Sequence, residues 1–297
     1  MKSDSTSSPT IICSTGSFAG QALSTRFRLA RAAGTDGVEL MLSPRLVRGE
    51  PREVRRLEDE HHTPVRSVHS VLRLRDVSSE QAADDITTSA RFAAQLHHCR
   101  VLVVHPPQVD SLHDTAGRHW LEALEASAEI GARAGFAIAV ENLGQLTRRG
   151  TASALDHPSR LKWLAEEWDV ALTFDTSHAG SRGWNLVEVS DLFGPRLANL
   201  HLSDLGARTY RWALTNALVR DHRLPGTGTL PLRSLLEHLA SRHYSGLLTL
   251  ELSPLALRAW WRPSTLARLR AAVLNCRVQT HSSQPSSHPT TGPDPRG

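Results

Sequence analysis

The sequence predicts a single α/β domain, a (β/α)8 TIM barrel with a parallel eight-stranded core. Eight short apolar runs alternate along the chain with longer amphipathic segments. Several of these runs are nearly continuous Val, Ile and Leu, which is typical of parallel strands that are buried on both faces. The chain has 297 residues, which is enough for one barrel of about 250 residues with two flexible ends.

The predicted strands are, in order, Ile11–Cys13, Gly37–Leu40, Val65–Val71, Val101–His105, Ala137–Glu141, Ala171–Asp175, Ala198–Leu202 and Leu247–Glu251. The helical pattern between them is clearest in residues 120–130 and 232–239, where apolar side chains fall on one face. An open doubly wound sheet is the alternative. It needs a Gly-rich phosphate turn after its first strand, and residues 14–20 match that turn only loosely.

The two ends of the chain differ in composition from the rest. Residues 1–9 are rich in Ser and Thr, and residues 278–297 are rich in Pro, Ser and Thr. Such segments bury little apolar surface, so we expect two disordered tails around a barrel that spans residues 10–277.

Composition narrows the function classes. Lys and Arg number 34 against 30 Asp and Glu, a net charge of +4 with no basic block, so nucleic acid is not an expected partner. Three cysteines without a C-x-x-C pair predict reduced thiols and a cytoplasmic protein. We find no apolar leader and no apolar run of membrane-spanning length, so no membrane association is expected.

Seven of the eight predicted strands end on a side chain that can bind a metal or carry a proton: Glu39, His69, His105, Glu141, Asp175, His201 and Glu251. In a barrel these ends converge on one face, where active sites are built. Burying ionisable groups together costs several kcal/mol each unless they are paired or coordinate a cation. The pattern therefore predicts one or more divalent metals.

Further polar residues follow two of these strand ends. His178 comes three residues after Asp175, and Asp204 comes three residues after His201. We predict that the Asp204 carboxylate accepts the second ring N–H of His201 and so orients that ligand. Glu39 is assigned a structural role, either orienting a pocket residue or ending its strand.

The ordered motifs Glu141-Asn142, Asp175-Thr-Ser-His178, His201-Leu-Ser-Asp204 and the final strand Glu251 resemble the xylose-isomerase-like TIM-barrel superfamily. That superfamily contains sugar isomerases and epimerases, dehydratases and endonuclease IV-type nucleases, and the resemblance covers residues 10–277. It implies that Glu141, Asp175, His201 and Glu251 hold one divalent ion. Three carboxylates and one imidazole suit Mn²⁺ first, with Mg²⁺, Co²⁺ or Zn²⁺ as the other choices.

The resemblance also implies the reaction: isomerisation or epimerisation of a small sugar, sugar phosphate or polyol derivative. Proton transfer would pass through an enediolate, with Glu141 and Glu251 removing and returning the proton. The residues expected to bind the sugar-like substrate are His69, His105, His178, Arg208 and His222. Relatives are often dimers or tetramers, so a homo-oligomer is a further expectation.

The chain departs from the epimerase pattern at two positions. Thr147 and Ala207 stand where that branch has Glu and Arg, and Arg208 is adjacent to the second position. The trinuclear zinc site of the nuclease branch resembles the same histidines and carboxylates, although Arg220 stands where its additional Asp is expected. The alternatives are therefore an endonuclease IV-type zinc phosphodiesterase acting on abasic DNA and a related metal-dependent dehydratase.

Overall fold

Eight parallel strands form a closed barrel in sequence order, and β8 pairs with β1. The computed structural model describes residues 8–73, 78–145 and 153–281. The predicted tails lie outside the described residues over 1–7 and 282–297, and Thr147 lies outside them as well. The strands are β1 Thr10–Ser14, β2 Val38–Met41, β3 Val65–His69, β4 Val101–Val104, β5 Ala137–Glu141, β6 Ala171–Asp175, β7 Leu197–Leu202 and β8 Leu247–Leu250. The predicted (β/α)8 fold is confirmed.

Eleven helices are found in the described part of the chain. They are α1 Leu23–Ala33, α2 Pro51–His61, α3 Ser79–Ala93, α4 Thr115–Ala134, α5 Pro158–Glu167, α6 Thr176–Ser181, α7 Leu186–Phe193, α8 Ala213–Thr215, α9 Leu232–Ser241, α10 Pro254–Leu257 and α11 Arg262–His281. The amphipathic segments 120–130 and 232–239 lie in α4 and α9. Helix α11 continues past residue 277, the predicted start of the C-terminal tail.

Local sequence sets the ends of the helices on the β3 and β4 side of the barrel. The Ser78 side chain accepts the backbone N–H of Gln81 at the start of α3, and Asp114 does the same for Gly117 at the start of α4. Gly135 ends α4 at φ 85°, a left-handed conformation that glycine adopts without a steric penalty.

The interior of the barrel changes from apolar to polar along the strands. Its apolar cluster consists of Ile12, Val101, Val103, Ala139 and Leu247. A hydrogen-bonded polar layer follows, formed by Glu39, Ser67, Asn199 and Thr249. His69, His201 and Glu251 come two residues after members of this layer, so side-chain alternation places them on the same inner face at the carboxyl-terminal end.

Two boundaries differ from the sequence prediction in a way that affects the site. Glu39 is the second residue of β2, so it lies inside the strand and not at its end. His105 and Glu251 directly follow β4 and β8. No helix in the described ranges is both long and apolar enough to cross a membrane.

The three thiols give a first testable prediction. Cys13, Cys99 and Cys276 are free and buried, and burial raises the pKa of each thiol to about 12. Since the thiolate is the reactive form, we expect the folded protein to resist Ellman's reagent at pH 8 for minutes. All three thiols should react once the protein is denatured. Fast reaction of any thiol in the folded state would contradict this packing.

Candidate metal centre

Four side chains from four successive strands converge at the carboxyl-terminal face. Glu141 ends β5, Asp175 ends β6, His201 lies in β7 and Glu251 follows β8. Each offers one ligand atom, and these atoms all lie within 4.8 Å of one another. The side chains of the first three are almost completely buried, whereas that of Glu251 is 16% exposed and lies toward the mouth of the site.

Most of these ligand atoms have no hydrogen-bond partner. Both carboxylate oxygens of Glu141, Oδ2 of Asp175 and Nδ1 of His201 are buried without one. The other oxygen of Asp175 accepts the backbone N–H of His178 at 2.6 Å, which fixes the orientation of that carboxylate. Unpaired buried polar atoms are costly, and a divalent cation would satisfy all four. The donor set, three carboxylates and one imidazole, fits a hard or borderline divalent ion.

Glu39 orients the imidazole of this set. Its Oε2 lies 3.0 Å from His201 Nε2, and the same oxygen accepts the hydroxyl of Ser67 at 2.8 Å. Because an ionised carboxylate only accepts hydrogen bonds, Nε2 of His201 carries the hydrogen. Nδ1 is then free to face the carboxylates, at 2.8 Å from Glu251 Oε2 and 3.3 Å from Glu141 Oε1. This is the outer support that metal-binding histidines usually have.

Asp204 does not contact His201 in this way, so the predicted pairing of these two residues is wrong. Its two carboxylate oxygens instead accept the backbone N–H groups of Leu205, Gly226, Gly228 and Leu230, at 2.8–3.0 Å. A Cβ on Gly228 would lie 2.4 Å from Asp204 Oδ1, so this close approach requires glycine. Asp204 therefore anchors the turn that follows His222.

Glu39→Gln tests the orienting role. The amide can donate as well as accept, so it no longer enforces the Nε2–H form of His201, and we expect metal affinity to fall about 10- to 100-fold. The matched control is Glu58→Gln, a buried carboxylate on α2 whose hydrogen bond goes to the backbone of Val65. Isothermal titration with Mn²⁺ measures both variants. If Glu39→Gln bound Mn²⁺ as tightly as the unmodified chain, Glu39 would not have this orienting role.

A second group joins the first at Glu141. His69 Nε2 lies 3.4 Å and His105 Nε2 lies 3.2 Å from Glu141 Oε2, and their rings meet edge to face at 4.8 Å. Nδ1 of His69 donates to the Ser70 carbonyl at 2.9 Å, which directs Nε2 toward the carboxylate. These three residues offer a second set of ligand atoms.

A third group contains Asp175, His178 and His222. Nδ1 of His178 donates to the Asn142 carbonyl at 2.9 Å, and the two imidazole rings lie 5.2 Å apart. His222 has φ 52°, a left-handed conformation that is uncommon for a non-glycine residue and that occurs at functional sites. Its Nδ1 lies 3.9 Å from Asp175 Oδ2.

The two arginines singled out by the sequence have different environments. Arg208 is exposed, and its guanidinium lies 5.0 Å from the ring centre of Tyr210, apart from the three ligand groups. Arg220 is buried, pairs with the Asp221 carboxylate at 2.5 Å and donates to the Gln145 carbonyl at 2.8 Å. The positive charge of Arg220 thus already neutralises the Asp221 carboxylate.

The carboxylates of the site differ in the direction of their pKa shifts: burial raises the pKa of Asp175, whereas the pKa values of Glu141 and Glu251 are lowered. Burial alone would raise the pKa of Glu251, but the positive charge that His201 carries when no metal is bound outweighs burial and holds that pKa at about 2. Glu141 follows the same pattern, and its pKa lies well below its usual range. Burial lowers the pKa of His69, yet the surrounding carboxylates raise it to about 9. The site thus attracts cationic groups, as a metal centre must.

The sequence did not indicate that Ser67 and Asn199 support the site. Both bond to Glu39, and Asn199 precedes His201 by two residues on β7, so alternation places the two side chains on one face. That spacing is the one signal that could have found Asn199. Ser67 likewise precedes His69 by two residues, so the same spacing could have found it.

The chain matches a known protein family and related sequences. A family model described as a xylose isomerase-like TIM barrel matches residues 27–270. Uncharacterized proteins of Mycobacterium tuberculosis and Mycobacterium leprae are each 28% identical to this chain over 254 residues, covering 78% of this chain and 85% of the relative.

Three solved structures share the fold. The 3-keto-D-glucoside 4-epimerase YcjR from E. coli has a TM-score of 0.65 at 20% identity, covering 89% of this chain and 99% of its own. D-allulose 3-epimerase from Methylomonas sp. has a TM-score of 0.67 at 14% identity, covering 92% of this chain and 98% of its own. An AP endonuclease, family 2, from Brucella melitensis has a TM-score of 0.65 at 19% identity, covering 86% of this chain and 98% of its own. At these identities the likeness shows the fold alone.

Proposed function

Because the chain belongs to the xylose isomerase-like TIM barrel family, we propose that it is a divalent-metal-dependent isomerase or epimerase of a small sugar, sugar phosphate or polyol derivative. One observation carries the proposal. Buried ligand atoms without hydrogen bonds from Glu141, Asp175 and His201 meet a fourth ligand, Glu251, at the mouth of the barrel. Two epimerases of known structure that share this fold support the same reaction class.

The four residues Glu141, Asp175, His201 and Glu251 would hold the ion, with Mn²⁺ preferred and Mg²⁺, Co²⁺ or Zn²⁺ as the other choices. When bound, such an ion supplies a Lewis acid that polarises a substrate carbonyl and acidifies the adjacent C–H.

Two carboxylates would move the proton. Glu251 turns Oε2 toward His201, and Oε1 would take a proton from the carbon beside the carbonyl. Glu141 would take a proton from the His69 imidazolium, whose Nε2 lies 3.4 Å from its Oε2, and pass it to the neighbouring carbon or to the other face of the same carbon. The proton left on Glu251 would then pass to solvent. The imidazoles of His69 and His105 face Glu141 Oε2 and stabilise its ionised form.

The remaining polar side chains would bind substrate oxygens. His178 keeps Nδ1 on the Asn142 carbonyl, which leaves Nε2 to contact a hydroxyl. His69, His105 and His222 stand around the same carboxylates and would line the sugar site. Arg208, exposed in the connection after β7, would meet only a part of the substrate that projects from the mouth, such as a phosphate.

Solvent exchange tests the proposal. A panel of ketoses, sugar phosphates and keto-glycosides is incubated in D₂O with the Mn²⁺-loaded protein, and NMR follows deuterium at the carbons next to the carbonyl. We expect metal-dependent incorporation in at least one sugar. Absence of incorporation across the panel, in a chain shown to bind the metal, would contradict the proposed reaction.

A second candidate function, a zinc-dependent phosphodiesterase acting on abasic DNA, is favoured by one observation. The three ligand groups adjoin through Glu141 and Asp175, as a polynuclear site requires. The third group weakens this candidate, since the nearby Asp221 carboxylate is occupied by Arg220. We therefore expect that the zinc-loaded protein does not cut the abasic strand of a DNA duplex.

A further inference from the structure

A second cavity opens beside the metal centre, between the connections that follow β3 and β4. Its volume is about 560 Å³. We call it the side pocket. Its apolar wall is formed by Val71, Leu72, Ile86, Val109 and Trp120. A cavity of this size is in the range that holds drug-sized ligands.

The side pocket and the metal centre share a wall. His105 lines the side pocket, and its Nε2 lies 3.2 Å from Glu141 Oε2. Its side chain is 33% exposed, in contrast to the buried His69 beside it. His105 is therefore the residue at which the side pocket adjoins the metal centre.

The charges in the wall of the side pocket are not free to bind a ligand. Asp85 binds the Arg73 guanidinium through both of its oxygens, so these two charges are paired with each other. The indole N–H of Trp120 donates to the His105 carbonyl at 2.9 Å. Three polar residues, Ser70, Ser79 and Gln108, also line the pocket. Apolar surface for a ligand comes from the partly exposed side chains of Val71, Leu72 and Val109.

We infer that the substrate carries an apolar, ring-sized substituent on its sugar and that the side pocket binds this substituent. The inference rests on the proposed function, because it takes the metal centre as the place where the sugar is held. It specifies a substrate class, a keto sugar or glycoside with an apolar group, in place of a free sugar.

Matched pairs of glycosides test the inference by binding alone. Phenyl and methyl glycosides of glucose, galactose and xylose are titrated calorimetrically into the full Mn²⁺-loaded chain. The phenyl member of at least one pair is expected to bind about 10- to 100-fold more tightly, since it removes several more apolar carbons from water. Two variants locate the effect: Ala82→Trp fills the side pocket from α3, and Asp84→Trp adds the same side chain at an exposed position of α3 outside its lining.

The outcomes separate the two proposals. Loss of the phenyl preference in Ala82→Trp, with its retention in Asp84→Trp, is the expected result. Equal or undetectable binding within all pairs, or a preference that Ala82→Trp leaves intact, overturns the inference whether or not deuterium exchange occurs. A phenyl preference in a chain that exchanges no sugar proton overturns the proposed function and leaves the apolar site in place.

Discussion

Replacing Glu251 with Gln is expected to lower turnover by about 10³-fold or more, while the barrel stays folded. The change keeps the size of the side chain but removes the ionised oxygen at the mouth of the site, which we propose as the proton acceptor. The Glu251 side chain is 16% exposed and follows β8, so its neutral replacement leaves the apolar core unchanged. Deuterium exchange on the responding sugar measures the loss, and circular dichroism checks the fold.

Two further samples separate proton transfer from metal binding. Glu251→Asp keeps a carboxylate with a shorter reach, so it should retain metal more fully than Glu251→Gln while still losing most of the exchange rate. Glu237→Gln, on α9 and paired with Arg233 at the surface, serves as the neutral control. If Glu251→Gln turned over sugar at the rate of the unmodified chain, the proton-transfer role of this residue would be refuted.

Asp204→Ala is expected to reduce the free energy of unfolding by about 3 to 5 kcal/mol, because it removes a fully buried, charged acceptor of several backbone hydrogen bonds. Its buried carboxylate accepts four backbone N–H groups around the turn after His222. Asp204→Asn keeps one acceptor oxygen and should cost less. Urea unfolding followed by fluorescence measures both changes.

The control for this series is Asp84→Ala, which removes an exposed carboxylate on α3 and should change stability by about 0.5 kcal/mol or less. A cost for Asp204→Ala as small as that of the control would show that the turn does not depend on this carboxylate. Loss of metal affinity without loss of stability would instead favour the original pairing of Asp204 with His201.

The fold could be predicted because each barrel strand is a local pattern. Apolar runs such as Val101–Val104 are short, continuous and followed by a polar residue, and their regular alternation with helices requires parallel pairing. The convergence of Glu141, Asp175, His201 and Glu251 follows from that topology, because equivalent strand ends meet on one face. Neither the strand order nor this convergence depends on individual side-chain contacts.

The contacts that orient the site were not available from local spacing. Asp204 follows His201 by three residues, but the N–H group of the adjacent Leu205 and three N–H groups of the turn after His222 occupy its oxygens. The partner of His201 is Glu39, 162 positions away in sequence, which reaches it only because β2 and β7 face each other across the barrel. Arg208, chosen for its offset from His201, lies exposed against Tyr210, since the connection after β7 follows its own packing.

Metal content per chain tests the central claim most directly. The protein is purified without chelator or affinity metal, and elemental mass spectrometry gives the ions bound. We predict about one Mn, Co or Mg ion per chain, lost when His201 is replaced by Ala. A chain without bound metal, even after incubation with Mn²⁺, would contradict the metal-dependent mechanism. About three zinc ions per chain would show that all three ligand groups are filled and would favour phosphodiester chemistry over sugar isomerisation.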